Sequence, residues 1–203
     1  MQSVESRRKE LGRDDLETLV SVEILAYAKY ALGLYPEAET LQLQVRKGRE
    51  AVLGDEHLDR LLSMSNLASI YENQGRLDEA EKLNLQVLET RKRVLGVEHP
   101  STLLSMSNLA STYLNQGRLD QAEKLNLQVL ETRKRVLGEE HPHTLTSMAN
   151  QSHILHRLGR HRSSLKMMTS CAAMSLRTLG PDHPDTVERC RWKKEREEET
   201  AEV

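Results

Sequence analysis

The apolar residues of this chain recur at helical intervals. In LLSMSNLASIYENQ, Met64, Leu67, Ala68 and Tyr71 fall on one helix face. In RLDEAEKLNLQVLETRKRVL, a broad apolar stripe runs through Leu77, Ala80, Leu83, Leu85, Val87, Leu88 and Leu95. Gly75 lies between the two, so the pattern predicts helix A, a tight glycine turn and helix B. Asp78 stands in the first turn of helix B and Arg91, Lys92 and Arg93 in the last, which suits the helix dipole. Gly96 is expected to close helix B as a left-handed cap. His99-Pro100 and His141-Pro142 then open the next helices, with proline in the first turn where its missing N–H costs nothing. No window alternates β-branched residues at period two, so no strand is predicted.

The pattern repeats. Gly12, Gly54, Gly96, Gly138 and Gly180 are spaced by 42 residues, as are Gly33, Gly75, Gly117 and Gly159; only Gly48 stands off these ladders. Met64, Met106 and Met148 keep the same interval. Residues 71–104 and 113–146 differ only at Glu72/Leu114, Glu79/Gln121, Val97/Glu139, Ser101/His143 and Leu104/Thr146, which reads as duplication within the chain. Repeat boundaries follow the glycines. Residues 1–12 are a remnant of a preceding helix B, because ESRRKELG aligns with ETRKRVLG at 89–96. Residues 13–54 form a divergent repeat 1, 55–96 repeat 2, 97–138 repeat 3 and 139–180 repeat 4. Residues 181–203 form a terminal capping helix with a charged tail. Arrays of this kind hold together through nearest-neighbour interfaces and need a polar end. An expectation follows that the chain belongs to a longer array or self-associates through its N-terminal edge, where Val20, Ile24 and Tyr27 lack a preceding repeat.

Composition narrows the function. The 203 residues carry 29 basic and 31 acidic side chains, for a net charge of −2, which argues against a polybasic nucleic-acid binder. No apolar run is long enough to span a membrane, and the N-terminus has no secretory signal. Two cysteines suit a reducing, cytoplasmic setting. Phenylalanine is absent, so Leu, Met, Val and Ala must fill the core. Cys171 aligns with Val87 and Val129, and Cys190 with Met64, Met106 and Met148; both are expected as buried, inert thiols. No GxSxG, GxxxxGK[ST], GxGxxG or HExxH motif is present, so no catalytic residue, enzyme activity or cofactor is assigned. His57, His99, His141 and His183 recur once per loop, too far apart in a stack of helices to share a metal ion; they are expected to bond local backbone instead. His153 and His156 offer only two ligands, so no metal site is assigned. The RKR runs at 91–93 and 133–135 read as solvated helix ends, with Glu89–Arg93 and Glu131–Arg135 as i, i+4 pairs.

Among helical repeats, a 42-residue period would suit HEAT and armadillo units by length. The residues point elsewhere. Leu67-Ala68, Tyr71, Gly75, Ala80 and then Val87 resemble the tetratricopeptide repeat, whose small alanines let helices A and B approach closely. The NLA at 66–68 and 108–110, the NQGR at 73–76 and 115–118, and the RVLG-xx-HP-x-T-L ending are similar to the kinesin-light-chain type of this repeat, also found in fungal NLR-like proteins. The resemblance covers about residues 5–190 and implies an all-α, right-handed solenoid of four helix pairs plus a terminal helix. The long heptad region of a kinesin light chain and the nucleotide-binding module of an NLR are both missing from this sequence.

A second stripe of helix A points away from the first. It comprises Leu62, Ser65, Asn66, Ser69 and Asn73 in repeat 2, and Leu104, Ser107, Asn108, Ser111 and Asn115 in repeat 3. Repeat 4 has Thr146, Ala149, Asn150, His153 and Arg157, and repeat 1 departs with Val20, Glu23, Ile24, Tyr27 and Ala31. Ser and Asn are poor mid-helix residues, so six of them on two helices call for a reason other than helix stability. The resemblance supplies one: the stripe would line a concave groove in which Asn66, Asn108 and Asn150 bond the backbone of an extended peptide. The expected function is therefore a non-catalytic scaffold that holds a peptide or partner helix, without nucleic acid or membrane. The alternatives are a structural or oligomerising part of a larger array, or small residues that merely let adjacent A helices crowd together.

Overall fold

The computed structural model describes residues 4–201; residues 1–3 and 202–203, which fall in the expected N-terminal remnant and charged tail, lie outside it. Ten helices and no strand occur among the described residues. They are α1 (Val4–Leu11), α2 (Leu16–Ala31), α3 (Tyr35–Leu53), α4 (Leu58–Asn73), α5 (Leu77–Leu95), α6 (Pro100–Asn115), α7 (Leu119–Leu137), α8 (Pro142–Arg157), α9 (His161–Thr178) and α10 (Pro184–Ala201). The chain forms two compact units, Met1–Ser105 and Met106–Val203, with the division inside α6. Within each, consecutive helices pack against one another, α1 to α4 in pairwise succession and on to α5 in the first, α7 to α10 in the second.

Each A helix ends in the same turn. Arg76 N donates to Tyr71 O at 2.9 Å and Gly75 N to Glu72 O at 3.1 Å, the paired bonds of a Schellman cap. That cap requires a left-handed residue between its two donors, and Gly75 supplies it with φ 76°. The rest of the NQGR segment locks the turn onto the neighbouring B helix. Arg76 stacks 4.0 Å over the Tyr71 ring, pairs with Glu79, and joins Gln74 in holding Glu39 of α3. Burial pushes the Glu39 carboxyl up, but the Arg76 and Gln74 hydrogen bonds outweigh it and hold the group below its ordinary value.

The B helices end differently from the expectation. Gly96 has φ 89° and ψ 164°, so it is an extended, glycine-only bend and not a left-handed α cap. The reason is the next segment. Thr102 turns its buried hydroxyl back to the Gly96 carbonyl at 2.8 Å, and Thr144 does the same to Gly138. An extended glycine leaves that carbonyl pointing at the incoming helix. The recurring histidines do bond local backbone. Nδ1 of His57, His99, His141 and His183 accepts from the backbone N–H two residues on, at 3.1–3.2 Å, as an N-cap.

The RKR runs are solvated only in part: Arg93 and Arg135 are exposed as expected, and the first arginine of each run is not. Arg91 and Arg133 are each 5% exposed. Arg91 donates to Ser105 Oγ at 2.8 Å and Ser101 O at 3.2 Å; Arg133 donates to Ser147 Oγ at 2.7 Å and His143 O at 3.1 Å. Burial pushes both guanidinium pKa values down, but arginine stays charged, and these hydrogen bonds compensate the charge. Arg93 reaches Glu56 at 2.5 Å in place of the i−4 partner Glu89, because the preceding loop approaches more closely than the next turn of its own helix. Cys171 is buried as expected; Cys190 is only half-buried, since α10 packs on α9 and no further helix covers its other side among the described residues.

Candidate functional site

The second stripe of the A helices is split by depth. In α4, Leu62 is exposed, Asn66 and Ser69 are half-buried, and Asn73 is exposed. Ser65 is buried and returns its hydroxyl to Leu61 O of its own helix, so it lies behind the surface that the spacing assigned to it. In α6, Ser107 is buried too, Asn108 is half-buried, and Leu104, Ser111 and Asn115 are exposed. In α8, Asn150 and His153 are half-buried and Arg157 is exposed.

Each unit carries a cavity between successive A helices. In the first unit it is lined by Glu23, Ala26, Tyr27 and Tyr30 of α2, Gln42 of α3, and Asn66, Ser69 and Ile70 of α4, with a volume of about 190 Å³. In the second it is lined by Ser107, Ala110, Ser111 and Leu114 of α6, Asn126 of α7, and Asn150, His153 and Ile154 of α8, with a volume of about 110 Å³. The two linings match position for position, each residue of the second standing 84 places after one of the first, from Glu23 and Ser107 to Ile70 and Ile154. Eighty-four is twice the repeat, so the two cavities occupy one register of the repeat.

Their chemistry differs. In the first unit, Glu23 takes two hydrogen bonds from Arg49, at 2.8 and 2.7 Å, and one from Asn66 Nδ2 at 3.1 Å. Asn66 is thereby partly used inside the protein. Asn73 is used as well, donating to Tyr30 OH and Ser69 O and accepting from Tyr35 OH. In the second unit no carboxylate lines the cavity. His153 instead meets Trp192 of α10 edge to face at 5.0 Å, and burial pushes its imidazole pKa down. His156 turns to His161, Nδ1 to Nδ1 at 3.1 Å. No group of three or more His, Cys, Asp or Glu able to hold a metal ion occurs among the described residues. No helix among them is long and apolar enough to cross a membrane.

Sequence spacing missed the floor of both cavities. Gln42 and Asn126 come from B helices, whose stripe reads as core packing. The available signal was a polar residue at the same register of three of the four B-helix stripes, Gln42, Asn84 and Asn126, where the fourth carries Met168. A second missed signal is an exchange of partners. Arg49, Arg91 and Arg133 share one register and Ser63, Ser105 and Ser147 another, but the next pair is Ser175 and Arg189. Arg189 donates to Ser175 Oγ at 2.8 Å, so the buried pair survives with its two ends swapped.

The tetratricopeptide repeat pattern matches residues 14–93, 61–134 and 101–177. No curated protein matches the chain. Among solved structures, a Podosopora anserina protein of kinesin light chain type, with nearly identical TPR-like repeats, is 31% identical. The alignment covers 87% of this chain and 83% of that one, with a TM-score of 0.74. BtubC (BKLC) from P. vanneervenii is 21% identical over 92% of this chain and 76% of its own, with a TM-score of 0.75, and shares the fold. A Rap protein complexed with competence and sporulation factor also shares it, at 13% identity over 91% of this chain and 49% of its own, TM-score 0.75. The repeat pattern, its 42-residue period and these likenesses together place the chain in the tetratricopeptide repeat family, among repeats of the kinesin-light-chain type.

Proposed function

We propose that this protein is a non-catalytic interaction scaffold whose A-helix faces hold an extended peptide or a partner helix. Tetratricopeptide repeats generally mediate protein–protein interaction, and a Rap protein of the same fold is complexed with competence and sporulation factor. The observation that carries the reading is the pair of cavities at one register of the repeat. Packing alone would close such gaps, since interiors are filled to crystal-like density. Asn66 lines the first cavity and Asn150 the second, both half-buried, and a side-chain amide can offer both a donor and an acceptor to a peptide backbone. A peptide-array screen tests this directly, with hits re-measured on Asn150→Ala. Binding should fall while the melting temperature stays within a few degrees, because alanine is the better helix former at a half-buried mid-helix position. An array with no hit, or a variant that binds as well as the parent, would remove the groove from consideration.

A second reading has its own support. Val20 is 46%, Ile24 64%, Tyr27 72% and Leu32 73% exposed along α2. An exposed apolar stripe on a repeat edge favours packing against another helix, so the chain also serves as an oligomerising or array-forming element, as in NLR-like sensor regions. Sedimentation across a hundredfold concentration range separates the two.

A further inference from the structure

A hollow of about 590 Å³ lies between α1 and α3 in the first unit. Arg8 of α1, Arg13 and Asp14 of the following loop, and Leu43, Gln44 and Lys47 on one face of α3 line it. No A-helix residue does, so it is separate from the cavities between A helices. Three cations against one acid give it a charge of +2, in a chain whose net charge is −2. None of the four forms an ion pair among the described residues. Arg8 Nη2 donates to the neutral Gln44 Oε1 at 2.6 Å, which holds the guanidinium beside α3 without cancelling its charge. The repeat shows this to be a departure. Glu89, Glu131 and Ala173 stand at the register of Lys47, and Asp55, Val97 and Glu139 at that of Arg13. At the register of Asp14, Glu56 and Glu140 pair with Arg93 and Arg177 at 2.5 and 2.6 Å, but Ala51 stands where those arginines do. Those carboxylates are answered within the chain; the positive charge of this hollow is not, and it favours an anion from outside.

Charge and shape select that anion. A phosphate monoester carries about −1.5 to −2 near neutral pH and matches the hollow, whereas one carboxylate balances only half of it. Arginine forks such as those of Arg8 and Arg13 meet phosphate oxygens two at a time. The volume falls in the range of roughly 300–1,000 Å³ typical of ligand pockets, more than a lone phosphate ion fills. Half-buried Leu43 gives the carbon part of a ligand an apolar contact. No aromatic side chain among the described residues lines the hollow, so a nucleotide base has nothing to stack on. We propose that the hollow between α1 and α3 binds a phosphorylated serine or threonine side chain of a partner protein, at a site apart from the A-helix groove.

NMR titration of the labelled full chain tests this with four probes: Ac-Ala-phosphoSer-Ala-NH2, Ac-Ala-Glu-Ala-NH2, Ac-Ala-Ser-Ala-NH2 and inorganic phosphate. The phosphotripeptide should saturate shifts at the amides of Arg13, Asp14, Gln44 and Lys47. The Glu tripeptide and inorganic phosphate should bind there about tenfold more weakly, and the Ser tripeptide should cause no shift. Lys47→Glu gives α3 the residue that α5 and α7 already carry at this exposed register, so the fold tolerates it. It should weaken the phosphotripeptide about tenfold or more. Lys166→Glu makes the same charge change on the exposed face of α9 and should leave binding unaltered. Asn150→Ala, which tests the groove, should leave it unaltered too. Equal binding of the phosphorylated and Glu tripeptides would overturn the phosphate assignment. Inorganic phosphate binding as tightly as the phosphotripeptide would overturn the polypeptide source. Equal losses in Lys47→Glu and Lys166→Glu would reduce the effect to overall charge and overturn the site.

Discussion

At the residue scale, the molecule is held by polar side chains buried at fixed registers as much as by its apolar stripe. The Arg–Ser pair shows what the register demands. Its two ends trade places between Arg133–Ser147 and Ser175–Arg189, yet the distances are 2.7 and 2.8 Å. The site therefore needs one guanidinium and one hydroxyl, on either helix. Arg133→Ser should cost about 1–3 kcal/mol, since it leaves buried acceptors unpaired. Ser147→Arg should cost at least as much by burying a second cation beside the first. The double exchange Arg133→Ser/Ser147→Arg should recover most of the loss. Urea denaturation of the four proteins measures the coupling, and additive losses would show that the two positions do not share one site.

At the element scale, close approach of helices A and B depends on residues without bulk. Ala80 and Ala122 are fully buried at these crossings. Ala122→Leu should cost about 1–3 kcal/mol by overpacking, while Gln86→Leu, on the exposed face of α5, should be nearly neutral. Thermal melts of the two variants distinguish a buried from a solvent face. Gly48 makes a tighter contact still: a Cβ there would lie 2.7 Å from Leu19 Cδ2, so α2 and α3 meet where later repeats carry Thr90 and Thr132. The seating of α10 is pH-dependent for a different reason. Trp192 packs edge-on against His153 and His156 at 5.0 and 5.6 Å. Burial pushes both imidazoles down; Arg196 adds to this at both, as does His156 for His153 and His161 for His156, while Glu188 and Glu199 oppose it. Each imidazole is therefore more readily protonated in the unfolded chain than in the folded one. The stability they allow is fully present above the ordinary histidine value and is lost as pH falls through the lowered one. Fluorescence of Trp192, the sole tryptophan, should shift to the red between about pH 7.5 and pH 5, with a lower denaturation midpoint. His153→Gln/His156→Gln should flatten the profile.

At the scale of the whole molecule, stability should grade along the chain because each repeat is supported by its neighbours. The eight residues of α1 bury no side chain, whereas α7 buries Ala122, Asn126, Val129, Leu130 and Arg133. An isolated helix of that length is marginal in water. Amides of Val4–Leu11 should therefore exchange with solvent orders of magnitude faster than those in the middle of α7. If self-association covers the exposed stripe of Val20, Ile24 and Tyr27, that contrast should shrink as concentration rises. Equal protection at all concentrations would show that α1 is anchored by more than its present packing on α2.

The helices, their turns and the family were legible in the sequence, because each rests on chemistry local to one repeat. A glycine where φ must be positive, a histidine and proline at each helix start, and apolar residues three and four apart act over a few residues, and a 42-residue copy repeats the message. What the tertiary structure decided involves pairs far apart in sequence. Ser65 and Ser107 were read as surface from helical phase alone, but phase does not say how deep a position lies once the helices pack. Arg91 and Arg133 look like solvated cations until the next helix offers them a serine and a carbonyl 10–14 residues on. The unpaired Oδ1 of Asn126 has no signature in a pattern of apolar positions, since it arises only when the nitrogen of the same amide is taken by α8. Local sequence determines which helices form and where they turn; depth, partnership and unmet hydrogen bonds are set by the distance between helices, which only packing fixes.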